Sequence, residues 1–382
     1  AQSNVLVSSN AGLREYTPAA TLVQTTAVPY PGGAPATENV RDAAVDHRGD
    51  VHVFNGTFAP YMSTLSAATG TWSHRAHPDW KTVNNVSYGG IAVLGEYVFV
   101  TSMITLNALV RFDLSDGSST DFGGNFGGYI DLTIGRDGLL YALGGTVRVF
   151  DPETLQEIDT IALAAGEVRG IAVDEVGEIY AASWNGNIYR LAPDGSLVAS
   201  IPSGANDLTD IDVDPNGRLV VGGRFGDVIL TDTALSPPVS WKAGGGPVFV
   251  AFADPTFSLY PAREVARPGT PPNPPALLPG ETSGPVVGAV WDPSVRPFVP
   301  NATQDFLILS SVPENAATPF GTLLCNLAGA RVFTTAPGTS FQIDIAADPA
   351  LVGRRMCAQG GSFTAGGRRA LTNALDITIG NF

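Results

Sequence analysis

The chain has 382 residues, 44% of them hydrophobic and only 15% charged, a composition too apolar for a disordered protein. No run of 18 apolar residues occurs, so no transmembrane helix and no membrane insertion are expected. A net charge of −15 argues against nucleic acid and anionic membrane surfaces as partners, and suits solubility, a cation-rich medium or calcium-dependent contacts.

The chain opens Ala1-Gln2-Ser3 without Met, the form left by signal-peptide removal, so a secreted protein is expected. The first elements are three short strands, 4-NVLVSS-9, 12-GLREYT-17 and 21-TLVQTTAV-28. A repeat follows: 43-AAVD-46, 91-IAVL-94, 132-LTIG-135, 171-IAVD-174, 211-IDVD-214 and 250-VAFAD-254. Anchored on Val45, Val93, Ile134, Val173, Val213 and Phe252, its spacings are 48, 41, 39, 40 and 39 residues. A period near forty with several short strands per unit is the mark of a β-propeller blade.

Within a unit, 171-IAVD-174 ends at the turn 174-DEVGE-178, and 179-IYAAS-183, 188-IYRLA-192 and 197-LVASI-201 supply the remaining strands. Asp, Asn and Gly occupy the turns because they tolerate positive φ or hydrogen-bond their own backbone. The sixth unit stops after 248-VFVAFADP-255. The three N-terminal strands are expected to complete it, so that a six-bladed β-propeller over residues 1–262 leaves no open sheet edge. The I-A-V-D lettering, the Gly turn and the strand–turn–strand that follows resemble the NHL/YncE-like propeller group. That resemblance implies the fold and no particular activity, since such propellers host binding, scaffolding and catalysis alike.

After Tyr260 the composition changes. The stretch 267-RPGTPPNPPALLPG-280 holds six prolines in fourteen residues, which predicts a semi-rigid linker over 263–284. Residues 285–382 read as antiparallel strands, among them 304-QDFLILSSV-312, 322-TLLCNLAG-329 and 339-TSFQIDIAA-347, and predict a small β-sandwich. Cys325 and Cys357 are expected to form one disulfide within it. The marks 348-DPALVG-353, Gln359-Gly360 and 371-LTNALDITIG-380 resemble a C-terminal module of large secreted bacterial proteins. This likeness implies an exported, surface-associated protein and carries no catalytic assignment.

The residues that could carry chemistry are few. His47, His52, His74 and His77 all fall in the first full repeat, no third His or Cys completes a zinc set, and they read as surface or turn residues. Asp42, Asp131 and Asp210 stand three residues before the anchors of alternate repeats. First strands line a propeller's channel, so these three could hold Ca²⁺ or Mg²⁺. The alternative is that each accepts backbone N–H bonds from an adjoining loop. Asp210, Asp212 and Asp214 share a strand face, but Asp214 starts a P-N-G turn and the EF-hand spacing is absent. No G-x-S-x-G elbow occurs.

Tyr61, Trp72, Trp80 and Tyr88 lie in the 48-residue unit, where an inserted loop is expected. Trp80 and Tyr88 are the candidate ligand-binding aromatics, whereas Trp72 suits packing between blades. Asn55, Asn85 and Asn301 carry the N-x-[ST] signature.

The reading that follows is a non-catalytic secreted scaffold, a self-associating subunit of an extracellular or cell-surface assembly such as a filament, built through propeller–sandwich contacts. The alternatives are a propeller that binds an extracellular polysaccharide, peptide or protein, and a divalent-metal-dependent lyase or lactonase at Asp42, Asp131 and Asp210.

Overall fold

A computed structural model describes residues 3–10, 12–29, 40–55, 61–77, 89–101, 109–121 and 128–382. The chain divides into two units, Ala1–Leu259 and Tyr260–Phe382, both built from β-strands. Among the described residues no helix is long and apolar enough to cross a membrane.

The first unit holds six four-stranded antiparallel sheets, an arrangement that fits a propeller. The first strands of the six, in chain order, are Val40–Val45, Ile91–Leu94, Asp131–Ile134, Val168–Val173, Leu208–Val213 and Val248–Phe252. The sixth sheet takes its other three strands from the beginning of the chain: Val5–Ser9, Gly12–Tyr16 and Leu22–Thr26. Val248–Phe252 pairs antiparallel with Val5–Ser9, Val5 opposite Phe252 and Ser9 opposite Val248.

Strand periodicity explains how the sheets pack. Successive side chains of a strand point to opposite faces, so one sheet feeds two cores. Phe54 packs with Ile91, Val98 and Val110 of the second sheet, whereas its neighbour Val53 packs with Leu6, Leu13 and Ala251 of the sixth. Tyr180 and Ala182 face the fifth sheet while Ile179 and Ala181 face the third. Six such clusters join first to second, second to third, and so on, and the last joins sixth to first. Burial falls from the inner strands outwards: Ile179–Ser183 is buried throughout, whereas Leu197–Pro202 is almost wholly exposed.

The turn after each first strand is set by its own sequence. Asp46, Asp174 and Asp214 each accept two backbone N–H bonds on Oδ1, from residues two and four further on, at 2.8–3.0 Å. Gly49, Gly177 and Gly217 take the left-handed position within these turns, with φ from +76° to +83°.

The second unit is organised around one five-stranded antiparallel sheet. Its strand order is Arg263–Arg267, Arg369–Thr378, Arg355–Thr364, Ala302–Ser310 and Arg331–Thr335. Leu307 and Leu309 pack on one face with Trp291 and Ile343, while Phe306 and Ile308 pack on the other with Leu324 and Cys325. The small sandwich expected from sequence therefore takes the form of one dominant sheet with short strand pairs on its faces.

The proline-rich segment differs from expectation. Residues 263–284 are part of this unit, not a linker, and the chain passes from one unit to the other between Leu259 and Tyr260 instead of at residue 262. Arg263–Arg267 is an edge strand paired with Arg369–Thr378, and Leu277 pairs with Val295. Prolines remove backbone donors, and buried amides satisfy what remains: Asn273 donates to the carbonyls of Thr322 and Thr372, and Asn373 accepts from Leu277 N.

Candidate functional site

A cavity of about 140 Å³ is walled by the first strands of all six sheets of the first unit, and Asp42, Asp131 and Asp210 line it together. The sequence thus anticipated their convergence, and each carboxylate has backbone partners. Asp42 accepts N–H bonds from its neighbour Ala43 (2.7 Å) and from Ile91 of the next sheet (2.8 Å). Asp131 accepts from Leu132 (2.8 Å) and Ile171 (2.7 Å), and Asp210 from Ile211 (2.8 Å) and Val250 (2.7 Å). Each carboxylate clamps its own strand to the first strand of the following sheet. Asp212 repeats the device with Val213 N and Phe252 N at 2.8 and 3.0 Å.

At the same register the second and fourth sheets carry Gly90 and Gly170. A Cβ on Gly90 would stand 2.6 Å from Leu132 N, and one on Gly170 would stand 2.6 Å from the Asp210 Cα. The alternation of Asp and Gly therefore follows from steric room: each of these glycines makes space for the aspartate of the next sheet.

Burial dominates the electrostatics. Asp42 is raised well above the ordinary carboxyl value by burial and by the charges of Asp210 and Asp131. Burial raises Asp131 likewise, with Asp210 adding to it. Asp210 is pushed up to about 7 and Asp212 to about 6, burial outweighing the N–H donors that favour the ionised form. Both oxygens of each clamp are engaged by amides, and among the described residues no group of three His, Cys, Asp or Glu side chains is disposed to hold a metal ion. Asp42, Asp131 and Asp210 each accept backbone N–H bonds, as the clamping alternative expects.

A second set of polar side chains surrounds the turns. His52 places Nδ1 2.9 Å from Thr64 Oγ1 and Nε2 3.5 Å from Asp46 Oδ2. Thr64, His52 and Asp46 have the order of a nucleophile, base and acid, but the His52 and Asp46 side chains are wholly buried, out of reach of a substrate. The equivalent turn carboxylate is met by Tyr180 at Asp174 and by Arg218 at Asp214, and in the third sheet, which has Gly135 at that place, Tyr141 meets Asp137 two residues further on. This is a recurring brace, in which the second strand's side chain completes what the turn begins. Asp46, although burial pushes it up, is held below its ordinary value by the hydrogen bond and charge of His52 and the charge of Arg48.

The histidines correct one expectation. His52 and His77 are buried, not surface residues; His52 lies on the second strand of a sheet packed on both faces, which has no solvent side, and His77 follows the fourth strand. His74 is partly buried, with Nδ1 2.8 Å from Ser63 Oγ and its ring edge-on to Tyr61.

Of the aromatic candidates, Tyr61 is buried and Trp72 packs against the cluster between the sixth and first sheets. Trp80 and Tyr88 lie outside the described residues, as does Asn85. Asn55 is buried and donates to the Tyr61 hydroxyl at 2.7 Å, which removes it as a glycan acceptor in the folded chain; Asn301 is exposed.

In the second unit Cys325 and Cys357 form the expected disulfide. The marks of the C-terminal resemblance are structural. Gln359 is fully buried, accepts Leu324 N on Oε1 and donates to the carbonyls of Thr322 and Thr372. Asp348 caps the short 3₁₀ turn Pro349–Leu351 through Ala350 N, with proline in the first turn, where its missing N–H costs nothing. Glu264, raised by burial, accepts the Trp291 indole N–H at 2.8 Å. Sequence alone missed these buried amides, and the only local signal was the occurrence of Asn and Gln inside otherwise apolar strands. No protein-family model matches the chain, and no curated protein is significantly similar to it.

Proposed function

We propose that the first unit is a closed six-bladed β-propeller, and that the protein is a non-catalytic secreted scaffold. In this reading it is a subunit of an extracellular or cell-surface assembly in which the second unit of one copy docks on the first unit of the next. Closure is supported by the pairing of Val5–Ser9 with Val248–Phe252 and by the cluster between the sixth and first sheets. The NHL/YncE-like lettering of the repeats favours the same fold, and the likeness of the C-terminal marks to modules of secreted bacterial proteins favours export.

The observation that carries the assembly is the partition of charge. The second unit has eight basic and eight acidic residues, so the whole net charge of −15 resides in the first. Arg331, Arg355, Arg368 and Arg369 of the second unit are exposed. These exposed arginines are opposite in sign to the acidic first unit of another copy, and such unlike surfaces make heterologous contacts that need not close. The carboxylates at the cavity, engaged as clamps, support an architectural role for it.

Sedimentation and electron microscopy of the purified protein across concentration, in dilute and in concentrated salt, test the reading. Growth of large species with concentration, weakened by salt, is expected. A monodisperse monomer at every concentration in dilute salt removes it.

A further inference from the structure

The five-stranded sheet has an open edge at Arg331–Thr335, which pairs on one side only, with Ala302–Ser310. Val332 on this edge is 60% exposed, and Arg331 is exposed with no ion pair among the described residues. In the first unit Glu157–Ile161 is the outermost strand of the third sheet, paired only with Val147–Phe150. Ile158 on it is 53% exposed and Asp159 is exposed, its Oδ1 accepting only the neighbouring Thr160 N. Residues 151–194 around this strand carry nine acidic and two basic residues.

We infer that the Arg331–Thr335 edge of one copy adds as a fifth antiparallel strand to the Glu157–Ile161 edge of a second copy, an inference that rests on the self-association proposed above. Open edges in soluble proteins are generally blunted by Pro, Lys, bulges or covering segments. Neither 157-EIDTI-161 nor 331-RVFTT-335 contains Pro or Lys, and the one irregularity is a register shift that leaves Ile158 without a partner on Val147–Phe150. The two sequences also fit in register. Setting Val332 opposite Ile158 sets Arg331 opposite Asp159, an apolar pair beside an ion pair.

Other edges fit less well. On Arg263–Arg267, setting Val265 opposite Ile158 sets Glu264 opposite Asp159, two like charges, and Arg267 is already held by Asp376 at 2.9 Å. Among the other outer strands of the first unit, Leu22–Thr26 and Leu197–Pro202 have exposed apolar residues but no acid to meet Arg331, and Val239–Lys242 presents a lysine. Strand addition of this kind uses main-chain hydrogen bonds for affinity and the alternating side chains for selectivity. It joins two different surfaces, so it propagates as a chain of copies.

The test uses the full chain as Asp159→Arg, Arg331→Asp and the double variant, with circular dichroism to verify that each is folded. Sedimentation in dilute salt reads the association. Each single variant sets like charges opposite one another and is expected to weaken association about tenfold or more, and the double exchange to restore most of it. Backbone amides of 157–161 and 331–335 are expected to exchange more slowly in the assembled state than after dilution. Assembly that ignores both single variants overturns this docking while leaving the scaffold reading in place. Failure of the double variant to recover overturns the pairing of Arg331 with Asp159. A wild-type chain that never associates removes both.

Discussion

Replacing Asp210 with Asn probes the balance of forces at the cavity. In the folded chain burial, with the charge of Asp212 beside it, lifts the Asp210 carboxyl to about 7 from an ordinary 3.8, against the pull of Val250 N and Ile211 N. A carboxyl raised on folding contributes stability that is fully present below its unfolded value and is lost as pH rises through its folded one. Between those values each pH unit removes up to about 1.4 kcal/mol, so Asp210 alone accounts for about 3 kcal/mol lost from pH 5 to pH 8.

Asn cannot ionise, which cancels that dependence. Its NH₂ also faces one of the two backbone N–H groups and leaves a buried donor unmet, at about 1–3 kcal/mol. The variant is therefore expected to be less stable than the parent at pH 5 and to match or exceed it by pH 8. Urea unfolding of both full-length proteins, followed by tryptophan fluorescence, reads the difference, since four of the five tryptophans lie in the first unit. His47 and His74, whose values burial lowers, lose stability as pH falls through 6.5 in both proteins and so cancel in the comparison. Parallel stability curves from pH 5 to 8 would refute the view that Asp210 is a buried carboxyl gaining a proton on folding.

Other consequences are open to measurement. Deleting residues 1–26 removes three of the four strands of the sixth sheet and bares the Val248–Phe252 edge. The truncated chain is expected to be insoluble or to bind an apolar-surface dye strongly, and a soluble, cooperatively melting product would contradict the shared sheet. Gln359→Ala strands Leu324 N and two carbonyls in the interior. A loss of about 2–4 kcal/mol is expected, with faster hydrogen exchange at Leu324. Reducing the Cys325–Cys357 bond opens a 32-residue separation. The second unit should lose about 3–4 kcal/mol by the chain-entropy account, while the transition of the first unit, which has no cysteine, stays in place.

Much of the architecture was legible because it is written locally. The forty-residue period, the Asp and Gly turns and the two-residue alternation of strands depend on residues within one repeat. They announced six sheets, and the unfinished sixth repeat pointed to the N-terminal strands that complete it. The convergence of Asp42, Asp131 and Asp210 on one cavity followed from their equal places in alternate repeats. That each would accept backbone N–H bonds was one of two readings, with the donors placed in an adjoining loop; the true second donor was not legible, because it lies 40 to 49 residues away on the next sheet. Composition likewise suggested a linker at residues 263–284. Only the folded sheet supplies the Asn273, Asn373 and Gln359 amides that hold the region in place, from positions up to about a hundred residues apart in the chain. Patterning specifies which faces must be buried. Which polar groups then meet is settled only when distant strands come within hydrogen-bond reach, since a buried donor or acceptor must find its partner there or lose the stability it forgoes by leaving water.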